Sequence, residues 1–403
     1  MVVMSSRFVR AAIVVALAGA FCVLVYLQLE GRTSLGDLPA IVRLDEVSCG
    51  SRNDLEVMMS DLENQLVRDP EAPLSLVELA HVSLSLGISR ADGSLIEKAE
   101  RAANRSLRLA PHANYGAIEV LARVASYRHE FSRSIDLSQE LIRANLSTGY
   151  EIGVSAFLAR GMLREARAYA TKFAAGQSSS SASFLMGLVE ESSGNQDLAE
   201  RYFKASLRDP VNATYQDSLW ARSILARFYL RRARLSEARV VLRAIRDCDR
   251  DYLHGIALDG ELALANGDAK AAAASFTKAF ERSRDPRYLR QLASAHRSGG
   301  DIEAWRSIIS SAITLYDTAA VIDPRYHRAI HAQALLERAD GPLDVEHAIG
   351  LLEQERERRQ SPDIMRPLAY AYISVGRHEE ALAIKDILMK EGYPDVGAEE
   401  GWH

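Results

Sequence analysis

Several kinds of residue are scarce in this 403-residue chain, and each scarcity excludes something. There are three cysteines, Cys22, Cys49 and Cys248. That is too few, and too scattered, for a disulfide framework or a cysteine-based zinc site. Cys49 and Cys248 are expected as free thiols. Proline numbers 11 and aromatics are 7%, which removes collagen-like, mucin-like and proline-rich linker classes. Lysine supplies only seven of the 49 basic residues, the rest being arginine. A net charge of −5 is the wrong sign for a dedicated nucleic-acid binder. No G-x-x-x-x-G-K-[ST] loop and no G-x-S-x-G elbow occurs, so nucleotide and hydrolase signatures are missing. With 48% hydrophobic and 26% charged residues the chain is nevertheless that of a folded protein.

Long apolar runs are also few, and the N-terminus holds the one that matters. Residues 11–29 read AAIVVALAGAFCVLVYLQL without a charge. As a helix they would span roughly 28 Å, the hydrocarbon thickness of a bilayer. Arg7 and Arg10 precede the run, so residues 1–10 are expected in the cytoplasm and the remainder on the far side. A cleaved signal peptide is the rival, because Ala18-Gly19-Ala20 has the A-x-A form. Cleavage there would leave FCVLVYLQL as a very apolar new N-terminus, which favours the uncleaved anchor. Phe21 before Cys22 argues against a lipoprotein. Residues 30–72 carry ten acidic and four basic residues and are expected as a spacer followed by a capping helix from about Asp54 to Val67.

From about residue 73 the chain becomes a succession of short amphipathic helices without alternating β-branched runs. One small residue recurs at Ala80, Ala122, Val154, Gly187, Ala226, Gly260, Ala293, Ala334 and Ala369. A second recurs at Ala99, Ser134, Ala166, Ala199, Ala238, Ala272, Ala348 and Ala381, with Trp305 in the same register. Steps in the second series are 35, 32, 33, 39, 34, 33, 43 and 33 residues. Glycine follows the first small residue by seven positions at Gly161, Gly194, Gly267, Gly300 and Gly376, where a tight turn needs φ > 0. Phe203, Leu242, Phe276 and Leu352 follow the second by four and lie on the same helical face.

A period of about 34 with this grammar resembles the tetratricopeptide repeat family, a helix–turn–helix array. The resemblance covers residues 73–395, about nine units, with 396–403 as a tail. It implies an all-α superhelical solenoid, here with an N-terminal transmembrane helix. Some units depart from the pattern. GISRADGS reads as an insertion between the first two helices, and His129 and Ala233 replace the turn glycine. Trp305 stands where a small residue is wanted. Residues 307–326 are expected as part of an extended helix.

Candidate chemistry is thin. Ser275-Phe276-Thr277-Lys278 spells S-x-x-K but falls on a repeat's core positions, with no S-D-N or K-T-G elsewhere. His327 and His331 stand at i and i+4, a spacing that can hold a metal; without a third ligand they read as a solvated face. No catalytic residue, cofactor or metal is expected. The stronger signal is charge. Residues 215–300 hold 16 basic and 10 acidic residues, a local +6 in a chain of −5. In the family the first helix of each unit lines the concave surface. The resemblance therefore places Arg227, Arg231, Arg287, Arg290, Arg297 and Tyr370 in a groove, with Glu119, Glu151, Glu191 and Glu261 supplying the opposite sign. Arginines so placed hold carboxylates bidentately. The Lys and Asn of the family's chaperone-binding clamp are absent, so that function is not implied.

The expectation is an exported, membrane-anchored scaffold with its repeats on the periplasmic side. Its partner would be a protein or peptide, with an acidic segment, and not nucleic acid. Similar envelope proteins assist assembly of secretion machinery, cytochromes or polysaccharide exporters. An enzyme site hidden in the divergent C-terminal units, or a link to the cell wall, are the alternatives.

Overall fold

The computed structural model describes residues 55–90, 92–176, 179–207, 215–322 and 327–394. All of these lie within one unit, residues 43–403. The apolar run at 11–29, the spacer before 55 and the tail 396–403 lie outside the described residues.

Every regular element among the described residues is helical. A single helix α1 (Leu55–Arg68) precedes nine helix–turn–helix pairs. Pairs one to three are α2 (Pro73–Arg90) with α3 (Gly93–Leu109), α4 (Tyr115–Tyr127) with α5 (Phe131–Arg143), and α6 (Thr148–Ala159) with α7 (Leu163–Gly176). Pairs four to six are α8 (Ser180–Ser192) with α9 (Gln196–Ser206), α10 (Tyr215–Leu230) with α11 (Leu235–Cys248), and α12 (Leu253–Ala265) with α13 (Ala269–Ser283). The last three are α14 (Pro286–Ser298) with α15 (Ile302–Ile322), α16 (Arg328–Arg338) with α17 (Pro342–Arg356), and α18 (Pro362–Ser374) with α19 (His378–Glu391). No described helix is long and apolar enough to cross a membrane.

Local chemistry starts and stops these helices. Asp92, Asn114, Ser179, Asp268 and Asp285 each accept a bond from a backbone N–H in the first turn of the helix that follows, satisfying donors that the helix leaves open. The turn inside a pair is equally uniform. At Gly161, Gly194, Gly267, Gly300 and Gly376 φ lies between 76° and 81°, and paired i→i−3 and i→i−5 bonds close the helix end. His129 and Ala233 adopt φ of 59° and 52° with the same two bonds. The turn is thus preserved where glycine is not, because the hydrogen bonds and the packing of the two helices fix it.

The small residues do what their spacing suggests. Ala80, Ala122, Val154, Ala226, Ala293, Ala334 and Ala369 are completely buried, as are Ala99, Ala166, Ala199, Ala238, Ala272 and Ala348. At Gly187 a Cβ would lie 2.6 Å from Phe203 Cδ1, and at Gly260 one would lie 2.7 Å from Phe276 Cε1. The second helix thus sinks its aromatic ring onto bare backbone of the first. Trp305 escapes its small position by staying half-buried, with Arg297 over its ring at 5.1 Å; Ile309 and Ala312 fill the core instead.

Two details differ from expectation. The stretch GISR continues α2 rather than looping out, because buried Gly87 lets Ile96 of α3 pack against its backbone. The expected extended helix is α15, described over 302–322, and residues 323–326 lie outside the described residues. Cys248 is disulfide-bonded, not a free thiol; the other two cysteines lie outside the described residues.

First helices of successive pairs touch each other, as α2 does α4, α4 does α6, α6 does α8 and α10 does α12. Second helices make no comparable contact with one another among the described residues, so the first helices line the inner, more tightly curved side. The array also closes on itself. Arg358 donates to the carbonyl of Arg128 at 2.7 Å, and Arg160 to that of Glu357 at 3.0 Å. Arg164 donates to the carbonyl of Lys390 at 2.8 Å, and His129 Nδ1 lies 3.3 Å from Glu355 Oε1. Gly161 faces the Gln360 backbone and Gly194 the Pro394 ring. The turns of pairs two, three and four thereby carry the ends of α17 and α19, about 200 residues away. One hydrophobic cluster includes Val154, Phe157 and Leu163 with Leu368, Ile384 and Tyr393.

Candidate functional site on the inner face

Of the five groove arginines, three are already neutralised inside the molecule. Arg231, just after α10, donates to Glu191 of α8 at 2.6 Å. Arg287 Nε donates to Asp285 Oδ2 at 2.7 Å. Arg290 is ion-paired with Glu337 of α16, whose other oxygen lies 3.5 Å from Ser294 Oγ. Further along, Arg123 joins Glu119 and Glu151, and Gln291 donates to Glu261 at 3.1 Å. Much of the sequence's groove charge therefore stitches one first helix to the next. Arg227 and Arg297 have no carboxylate partner among the described residues. Tyr370 lies half-buried on α18.

Arg227 and Arg287 converge on a cluster that the sequence pattern did not reveal. His254 opens α12 between Trp220 and Tyr252, with ring centroids 5.5 Å from each. Burial, aided by the charges of Arg227 and Arg287, pushes His254 down to about 4, so its ring is neutral at pH 7. Burial raises Tyr252 and Tyr288 to about 12, leaving both as neutral hydrogen-bonding groups. Asp285 caps α14, and burial alone would raise its carboxyl. Bonds from His327 and Arg287 outweigh that and hold it below the usual carboxylate range. Tyr127, at the end of α4, lies in the field of Arg287 and Asp285, so the inner faces of pairs two and seven approach one another. The Asp285-Pro286 step was the available sequence sign, since a capping Asp before Pro opens a helix.

At the far end of α14, Arg297, Trp305, Gln333, Leu336, Glu337 and Arg338 line an open depression of about 550 Å³. It presents a guanidinium over an indole beside a carboxylate.

The two histidines at i and i+4 do not act together. His327 precedes α16 with φ of 46°, so the helical spacing is broken, and its ring lies 3.6 Å from Asp285. His331 is 2% exposed, which corrects the reading of a solvated face. It stacks on Tyr316 at 5.3 Å and meets His347 edge-on at 5.3 Å. Burial pushes it down to about 4.

No known family's sequence model matches the chain, and no curated protein does. Solved structures do, in 263 chains. The chain is similar to the APC/C hetero-tetramer Cut9–Hcn1, with a TM-score of 0.52 and 15% identity over 81% of this chain and 61% of that one. It is also similar to a tetratricopeptide repeat protein from Parabacteroides merdae, at TM-score 0.41 and 13% identity over 74% and 98% of the two chains. A third is the human IFIT1 dimer with m7Gppp-AAAA, at TM-score 0.41 and 14% identity over 86% and 96%. The chain thus spans about three-fifths of the Cut9–Hcn1 chain it matches.

Proposed function

We propose that this tetratricopeptide-type array is an exported, membrane-anchored scaffold whose inner face, between pairs five and seven, holds a carboxylate-bearing segment of a partner protein. One observation carries the reading. Arg227 and Arg297 stand on first helices without a carboxylate partner among the described residues, each beside an aromatic surface, while their neighbours are internally paired. A guanidinium in a partly enclosed groove gains about 1.5–3 kcal/mol from a bond to a charged group, against about 0–1 kcal/mol on an open surface. The apolar run at 11–29 behind Arg7 and Arg10 supports the anchor, and a disulfide at Cys248 suits an oxidising compartment.

The test is the double variant Arg227→Ala/Arg297→Ala, assayed with Asp- and Glu-rich peptides by fluorescence anisotropy across a salt series. Binding weakened at least tenfold, with flatter salt dependence and an intact helical spectrum, supports the site. Unchanged affinity moves the binding surface elsewhere. A reporter fused after His403 checks topology separately. A processed chain beginning at Phe21 and released from membranes by carbonate would rule out the anchor while leaving export standing.

A further inference from the structure

The extension of α15 beyond the length of most second helices has a chemical consequence. It carries Asp317 past Tyr316 and over the joint between pairs seven and eight, where His331 of α16 and His347 of α17 are waiting. One donor atom from each of the three residues falls within 4.8 Å of the other two. Asp317 Oδ1 and His331 Nε2 are 3.4 Å apart. Two donors held at about 2.0–2.1 Å on a tetrahedral ion lie roughly 3.4 Å from each other, so this pair already has the spacing of adjacent ligands. His347 and Asp317 are exposed, and His347 offers a ring nitrogen within 4.8 Å of the other two donors.

A second observation points the same way. His331 is almost wholly buried, yet its Nε2 has no hydrogen-bond partner. Its approach to Asp317 is close but not aligned as a hydrogen bond. Buried polar atoms are normally satisfied, and this one faces the Asp317 carboxylate beside the His347 ring. Tyr316 stacks on the ring and fixes its orientation, as rigid neighbours do for metal-ligating histidines. Arg338, whose charge acts on both His331 and Asp317, is held by two bonds to Asp344 at 2.8 and 2.5 Å, so it does not occupy the Asp317 carboxylate.

We propose that Asp317, His331 and His347 form a binding site for a divalent transition-metal ion of the zinc type. Two imidazole nitrogens and one carboxylate oxygen are donors suited to Zn²⁺ and its neighbours in the first transition row, not to Ca²⁺ or Mg²⁺, which take all-oxygen shells. The fourth position is open to water or to a donor from a bound partner. The ion would tie α15, α16 and α17 together at the edge of the Arg297–Trp305 depression. The site stands on its own geometry and does not depend on the groove reading.

The test uses the full, untagged chain in detergent, stripped with a chelator and titrated with ZnCl₂ by calorimetry. Co²⁺ replaces Zn²⁺ in a parallel titration read by visible absorption. One equivalent of Zn²⁺ bound at micromolar or tighter affinity, with a Co²⁺ spectrum of a four-coordinate nitrogen–oxygen site, is the expected result. Asp317→Asn and His347→Ala, both exposed positions, should each weaken binding at least tenfold and leave the metal-free melting curve unchanged. His331→Ala can fail to fold because the site is buried, so the two exposed variants decide. Absence of Zn²⁺ binding overturns the proposal, as does equal affinity in the Asp317→Asn/His347→Ala double variant.

Discussion

The closure of the array on itself can be read out by one pair of substitutions. Gly161 and Gly267 occupy the same place in pairs three and six, with φ of 76° and 79°. Alanine at either must enter the left-handed region, at about 1–2 kcal/mol. Loss of glycine's freedom in the unfolded chain returns about 0.4–1 kcal/mol. Around Gly267 a new Cβ meets nothing within 4 Å, so Gly267→Ala should cost about 0.5–1 kcal/mol. At Gly161 the Cβ would overlap the Gln360 carbonyl, lying 2.8 Å from its carbon. That obstacle is backbone and cannot rotate aside. Overpacking adds about 1–3 kcal/mol, unless the contact opens and releases the strain. Gly161→Ala should therefore cost about 1.5–4 kcal/mol in urea unfolding, or else show a longer distance between spin labels near residues 130 and 358. Equal unfolding midpoints for the two variants, with unchanged label distances, would show that the turn of pair three does not bear on residues 357–361.

Other expectations concern single contacts. Ala233 is exposed and left-handed, so Ala233→Gly should stabilise by about 0.5–1 kcal/mol in the same unfolding assay. His129→Gly should not, because it also loses the Glu355 contact and the stack on Phe131 at 5.4 Å. Gly187→Ala drives a methyl into Phe203, and a loss of about 1–3 kcal/mol is expected. Glu200 accepts from Arg234, Lys204 and Tyr229; burial opposes its charge, but these bonds win and lower it from 4.5 to about 2. Its folded pKa is below the unfolded one, so its contribution is complete above about pH 4.5 and fades as pH falls towards 2. Glu200→Gln should remove about 2–3 kcal/mol at pH 7 and flatten that acid limb. Non-reducing peptide mapping should find Cys248 in a disulfide, and a free Cys248 thiol in protein purified without reductant would contradict it.

The helical hairpins were legible because their cause is periodic. A residue at Ala199 or Ala238 must be small wherever two helices cross, and the crossing recurs with every unit, so the spacing alone reveals it. The turn is legible for the same reason, yet only in part. His129 and Ala233 hide the glycine signature while keeping its backbone geometry, since the pairing of flanking helices outweighs the preference of one residue. The GISR stretch misled because a run opened by Gly87 and rich in polar residues reads as an insertion between helices. The use of Gly87 is instead to bring Ile96 against bare backbone, and a sequence does not distinguish a glycine chosen for φ from one chosen for absence of volume.

What single-chain reasoning missed shares a different cause, namely contact between residues that no period relates. Arg290 reads as a groove cation until Glu337, 47 residues on, is seen beside it, and Arg231 reads as free until Glu191 is placed 40 residues before it. Both carboxylates were visible as charges, but their pairing depends on the rise and rotation from one first helix to the next. The histidines show the rule at its sharpest. His327 and His331 have metal-ligand spacing in sequence, and the left-handed step at His327 takes it away. His331 instead meets Asp317, fourteen residues earlier, and His347, sixteen later, because an overlong α15 folds back beside α16. The search for chemistry in such an array therefore belongs at the units that break its period.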